Sequence, residues 1–178
     1  GNTIMYTLPS MSGLTLKLHH QDAGVSTKGD NTAFLAEYST DISGGSVKAQ
    51  YISSATDDTG ASGNQTGTES TSMGIRFALS DFQVTASQHK KSINTSAYDY
   101  KNDVLDVMYT GIEGISISAF TLSGGDEKNT SYDFNQSAAS ITYTIASGLT
   151  ASVSMTDSEV TTSAGVKSND DATVLNIK

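Results

Sequence analysis

The sequence predicts an all-β protein: one antiparallel up-and-down sheet of the transmembrane β-barrel kind. Three observations carry this. Segments of alternating apolar and polar residues fill most of the 178 positions, and side chains two apart on a strand share a face. Thr, Ser, Val, Ile and Tyr are abundant while few segments have helical periodicity, which favours strands. The connections alternate between tight turns and long polar loops, so the meander has two unlike ends. Transmembrane barrels are built that way, with short periplasmic turns and longer external loops.

In chain order, strand cores are expected at 3–8 and 14–21, joined by the tight turn 8–14 that holds Pro9 and Gly13. The long loop 22–31 leads to cores 32–40 and 46–54 around turn 41–45. Loop 55–69 leads to 70–79 and 82–90, joined at Ser80-Asp81. Loop 91–101 leads to 102–110 and 115–122 around turn 111–114. Loop 123–135 leads to 136–145 and 149–158 around turn 146–148, and loop 159–171 leads to a last core at 172–178. Most segments are close to the ~9–11 residues that a tilted strand needs to cross a bilayer, and no apolar run approaches the ~18 of a membrane helix. Residues 1–178 read as a single domain.

The alternation separates two walls. One carries Ile4, Leu16, Ala36, Val47, Ile75, Val84, Leu105, Ile117, Ile141, Val153 and Leu175 with their i±2 neighbours. The other carries Lys17, His19, Glu37, Lys48, Gln50, Arg76, Gln83, Thr85, His89, Asp106 and a run of Ser and Thr. Six aromatics, Tyr6, Tyr38, Phe77, Phe82, Tyr109 and Tyr143, lie on the apolar wall close to the tight turns. A girdle of rings is expected where a barrel meets the lipid headgroups, because the ring is apolar and a Tyr hydroxyl reaches water. A soluble β-sandwich or solenoid with the apolar wall turned inward is the competing arrangement. Such a chain would serve as a structural or adhesive cell-surface or extracellular protein. Alternation alone does not separate the two.

Composition narrows the function. Hydrophobic content is 36%, low for a packed core and ordinary for a barrel with a wet interior. There is no Cys, hence no disulfide framework and no thiol chemistry. The net charge of −9 repels nucleic acid. The acidic residues Asp57, Asp58, Asp126, Glu127, Asp170 and Asp171 are expected in the long loops.

No catalytic motif is present. His19 and His20 are strand neighbours and face opposite ways. His89 with Lys90 and Lys91 reads as a solvated strand end. The serines lack a G-x-S-x-G elbow, and Gly124-Gly125 lacks the Lys-Ser/Thr of a phosphate loop. The loop carboxylate pairs are of a type that holds Ca²⁺ or Mg²⁺ against anionic lipopolysaccharide. None has D-x-D-x-D-G spacing, so solvated loop charge is favoured, with no metal site and no cofactor expected. Sequons at Asn64, Asn94, Asn129 and Asn135 arise readily in loops of this composition.

Residues 2–14 (NTIMYTLPSMSGL) resemble a recurrent stretch of the Gram-negative general porins. There it reads roughly N-x-[IV]-x-Y-x-[ST]-P-x-[FM]-x-G-[FL], with Leu8 here at the [ST] position. In that family the stretch forms the sixth strand, a periplasmic turn and the start of the seventh strand, just after the constriction loop. The resemblance implies a sixteen-stranded barrel of which this sequence holds about eleven strands. The first five strands and the constriction loop have no counterpart here, and Lys178 stands where the family commonly ends in Phe. An odd number of strands does not close a regular bacterial barrel, so the sequence reads as part of a longer porin. The resemblance further implies a homotrimer in the bacterial outer membrane, in contact with lipid and lipopolysaccharide. It implies passive diffusion of small hydrophilic solutes and ions, without an enzymatic step. On that reading Lys17, His19, Glu37, Lys48, Gln50, Arg76 and Asp106 are the pore-lining candidates, and Lys48 and Arg76 are expected on adjacent strands.

Overall fold

The structure is a computed structural model that describes residues 1–24, 29–57, 67–93, 99–128, 132–162 and 164–178. Eleven strands follow in chain order: β1 (Thr3–Thr7), β2 (Leu14–Gln21), β3 (Asn31–Ile42), β4 (Gly45–Thr56), β5 (Thr68–Leu79), β6 (Phe82–Ile93), β7 (Asp99–Ile112), β8 (Ile115–Asp126), β9 (Asp133–Ala146), β10 (Leu149–Thr161) and β11 (Lys167–Ile177). They form one antiparallel sheet in the order β1 to β11, each strand paired with its chain neighbours. The described residues contain no helix. The sheet is not closed, and β1 and β11 are its free edges. No second sheet faces it, so the described residues do not form a sandwich.

The strands are longer than the sequence alone indicates, and the loops correspondingly shorter. β7 and β9 have 14 residues each, about 45 Å of strand at ~3.3 Å per residue. The expected loops 91–101, 123–135 and 159–171 are largely strand, since β6 runs to Ile93, β8 to Asp126, and β11 starts at Lys167. The physical reason is that these strand ends are polar on both walls. With no apolar side chain to mark a face, they read as loop. Asp126, Asp170 and Asp171 therefore sit on strands rather than in loops. Asp58, Asn64, Asn94 and Asn129 lie outside the described residues, and Asn135 sits within β9.

Four of the five short connections are two-residue turns, at Ser43-Gly44, Ser80-Asp81, Glu113-Gly114 and Ser147-Gly148. Gly44 adopts φ +80° and Gly114 φ +73°, a left-handed backbone that L side chains rarely take. The fifth connection is longer and closes on itself, since the backbone amides and carbonyls of Met11 and Leu14 bond reciprocally around Ser12-Gly13. The turns are also tied sideways. Ser39 N donates to Gly13 O at 2.9 Å, Ser80 N to Gly44 O at 2.9 Å and Thr144 N to Gly114 O at 2.7 Å. This end of the sheet is thus a continuous hydrogen-bonded rim.

The register carries the two walls across all strands. Leu79 pairs with Phe82, Phe82 with Tyr109, Tyr109 with Ile117, Ile117 with Ile141, Ile141 with Val153, and Val153 with Leu175. On β5 the apolar positions run Leu79, Phe77, Ile75, Met73 and then give way to Thr71 and Glu69. On β10 they run Leu149, Ala151, Val153, Met155 and then Asp157. At a tilt of 35–45° such a run covers a band about 15 Å tall, which fits within the ~25 Å apolar band of outer-membrane barrels. No hydrophobic side chain among the described residues is buried; Ile141 is 54% exposed and Leu175 69%. Each large apolar side chain left in water forgoes about 1.5–3 kcal/mol. A whole wall of them exceeds the 5–15 kcal/mol that typically holds a domain folded. Something apolar outside the described residues must cover this wall.

Candidate functional site

The opposite wall is polar, and the register arranges its charges in rows. One row runs Ser39, Lys48, Arg76, Thr85, Asp106, Phe120 across β3 to β8. Beside it runs Thr15, Glu37, Gln50, Gly74, Ser87, Val104. The next is Lys17, Leu35, Ile52, Ser72, His89, Asn102. Lys17, Glu37, Lys48, Gln50 and Arg76 therefore form one contiguous patch on β2 to β5. Asp106 lies two strands beyond Arg76 on the same row. His19 sits on β2 one pleat past Lys17, opposite Ala33 and away from the patch. His20 faces the other wall, where its Nδ1 lies 3.0 Å from Thr32 Oγ1.

Glu37 is fully engaged: Lys17 Nζ donates to its Oε2 at 3.2 Å and Gln50 Nε2 to its Oε1 at 3.0 Å. The Lys17 and Glu37 side chains are 39% and 41% exposed, and exposed pairs of this kind contribute about 0–1 kcal/mol. Lys17→Ala is accordingly expected to change the urea midpoint of the protein in detergent micelles by less than ~1 kcal/mol equivalent. A larger loss would mean that Glu37 is desolvated.

Lys48 and Arg76 are direct register partners, and neither makes an ion pair with a described residue. Side chains so placed have Cβ atoms ~5 Å apart. Their repulsion is about 0.8 kcal/mol in a water-like medium and about 3 kcal/mol at an effective dielectric of 20. The pair is therefore tolerable on a wetted wall and costly on a dry one. A concavity of about 530 Å³ opens beside it, lined in part by Glu37, Gln50, Gly74 and Thr85. On β8 and β9 the polar-wall positions Ser118, Phe120, Gln136 and Ser140 are more shielded than Ile117, Ala119, Ala139 and Ile141. That is the crowding expected where a sheet curls towards its polar wall.

The polar wall is not uniformly polar. Val104, Met108, Phe120, Leu122, Phe134 and Val160 all lie on it, concentrated on β7 to β10. In the sequence they are masked by the one dominant apolar period of each segment. The adjacent apolar pairs Val104-Leu105 and Val107-Met108 were the available signal.

The six aromatics all fall on the apolar wall near the short turns. Phe82 and Tyr109 are register partners with ring centroids 4.4 Å apart. Tyr6 is 59% and Tyr143 50% exposed, and Tyr38 and Phe77 are exposed as well. The Tyr109 ring lies directly over Gly111, and Tyr38 and Tyr143 reach Gly13 and Gly114 of the neighbouring turns. A further pair, Phe34 and Tyr51, meets higher on the same wall with centroids 6.3 Å apart.

At the long-loop end several carboxylates are held by protein groups. Asp126, only 4% exposed, accepts backbone N–H bonds from Asp99 at 2.8 Å and Lys128 at 3.0 Å. Glu127 pairs with Lys90 at 2.9 Å. Asp99 lies beyond the apolar band. The Ser92 hydroxyl and the Lys128 ammonium hold its carboxyl below the ordinary carboxylate range, against slight desolvation. Asp170 and Asp171 point to opposite walls, with Asp171 across from Asp157. Among the described residues no group of three or more His, Asp or Glu side chains is arranged to hold a metal ion.

No protein-family model matches the chain, and no curated protein sequence matches it. Solved structures do. The chain is similar to an anion-selective porin from Comamonas acidovorans, with a TM-score of 0.66 at 10% identity, covering 99% of this chain and 57% of that one. The fold is that of a porin-type outer-membrane β-barrel. It is also similar to OccAB2 of Acinetobacter baumannii, with a TM-score of 0.66 at 12% identity over 98% of this chain and 53% of that one. OmpT, an outer membrane protein of Vibrio cholerae, gives a TM-score of 0.59 at 11% identity over 98% and 62%. Another structure of OmpT is of its trimer form. The chain thus spans little more than half the length of these proteins.

Proposed function

We propose that this protein forms part of the wall of a water-filled channel in the bacterial outer membrane, of the general-porin type. Small hydrophilic solutes and ions cross it by passive diffusion, with no chemical step, cofactor or metal. The carrying observation is the single-layered sheet: its apolar wall has no covering within the described residues, and its other wall holds uncompensated charge. Lipid supplies the apolar cover, with the six aromatics at the headgroup level of the short-turn end and lipopolysaccharide meeting the loop end. Lys17, His19, Glu37, Lys48, Gln50, Arg76 and Asp106 face the water-filled side. The free edges β1 and β11 must be paired, since unsatisfied backbone groups are not tolerated in lipid. Assembly as a homotrimer accompanies this reading, in keeping with the trimer form of OmpT.

The test is conductance. Reconstituted in planar lipid bilayers, the protein is expected to give discrete ohmic steps, and in vesicles to admit small sugars. A protein that stays monodisperse without detergent and gives no steps would refute the channel.

A further inference from the structure

We propose that Lys48 and Arg76 make the channel prefer small anions, and that the concavity beside them is where an anion dwells. This rests on the channel reading above. Six charged side chains lie on the polar wall between the short turns and mid-strand: Lys17, Glu37, Asp41, Lys48, Arg76 and Asp106, with Asp41 diagonal to Lys48 but making no ion pair with it. Lys17 and Gln50 occupy both oxygens of Glu37, which removes that carboxylate as a counter-charge for its neighbours. Lys48 and Arg76 then stand side by side with no partner among the described residues. Asp106 is separated from Arg76 by the strand that carries Thr85. The backbones are about 10 Å apart at ~4.8 Å per strand, and the two side chains make no ion pair.

The surroundings suit an anion. The Thr85 hydroxyl, next to Arg76 on the same row, is shielded from solvent and has no hydrogen-bond partner. Gly74 presents no side chain between Gln50 and Ser87, so the floor of the concavity stays open. The planar fork of Arg76 matches the oxygens of a carboxylate or phosphate, and Lys48 adds a mobile point charge.

The acidic surplus of the whole chain does not cancel this field. Four carboxylates at the long-loop end, Asp99, Asp103, Glu127 and Glu159, are each within 3.1 Å of a lysine ammonium. Arg76 is also seven residues along β5 from Glu69 near that end, over 20 Å at ~3.3 Å per residue, whereas charge is screened over ~8 Å at physiological ionic strength.

The experiment is the reversal potential of the reconstituted protein in a KCl gradient. The unaltered protein is expected to favour chloride. Lys48→Gln and Arg76→Gln should each lower the chloride-to-potassium permeability ratio up to about sixteenfold, because one unit charge acting at ~5 Å in water shifts each ion about fourfold and the two ions in opposite directions. The double variant should favour potassium, because the carboxylates of Asp41 and Asp106 then remain on this stretch of wall without a cation between them. Lys90→Gln, on the opposite wall, should change nothing. A second measurement needs no variant: the chloride preference must shrink in concentrated KCl, since the charges are screened. Conductance with no chloride preference, or a preference unchanged in both variants or in concentrated salt, overturns the inference and leaves the channel standing. Absence of any conductance overturns both.

Discussion

Ile141→Arg is expected to block folding into lipid, while Thr142→Lys, one residue along, leaves it intact. Ile141 pairs with Ile117 and Val153 in the middle of the apolar band and is 54% exposed there. A guanidinium at the bilayer midplane of a barrel costs about 2–4 kcal/mol. Thr142 pairs with Ser116 and Ser152 on the polar wall, where an ammonium stays in water. The check is folding into lipid vesicles, followed by circular dichroism and by protection of the apolar wall from proteolysis. Equal tolerance of the two substitutions would mean that this wall does not meet lipid.

The second large effect is expected from Gly45→Val. Gly45 opens β4 directly after the turn, and a Cβ placed on it would collide with the backbone carbonyl of Ala78 on β5. Backbone does not rotate aside as a side-chain tip does. The two strands must part where Ser80 N donates to Gly44 O at 2.9 Å. A loss of about 2–3 kcal/mol follows, in the range of strain and broken pairing. Gly148→Ala is the comparison: its φ is +81° but open space surrounds it, so only the ~1 kcal/mol of left-handed backbone applies. Urea midpoints in detergent micelles rank the two variants. If the ranking came out reversed, the close approach of β4 and β5 at this turn would be wrong.

Much of the architecture is legible in the residues because strand alternation and turn chemistry are local. The tight turns at Ser80-Asp81 and at residues 111–114 and 146–148 fall where Gly, Ser and Asp break the alternation, and the structure has turns at each. The number of strands follows from those breaks. Strand ends were harder to read, as at Lys91–Ile93 of β6 and Lys167–Asp171 of β11. There both walls are polar, and an exposed strand has the composition of a loop. The apolar residues on the polar wall, Phe120 and Leu122 among them, are hidden by the stronger period of the apolar wall.

The sequence by itself determined the sheet, its two walls and its two unlike ends, because each depends on residues within one strand or one turn. Tertiary structure alone decided which charges meet. Lys48 and Arg76 belong to β4 and β5, which are joined across the long connection 57–67. A short turn sets the register of its hairpin, but a long connection leaves it open. Only the ladder from Gly45–Leu79 to Thr56–Thr68 puts the two cations directly opposite each other. A slip of two residues would keep every apolar side chain on its wall and still separate them.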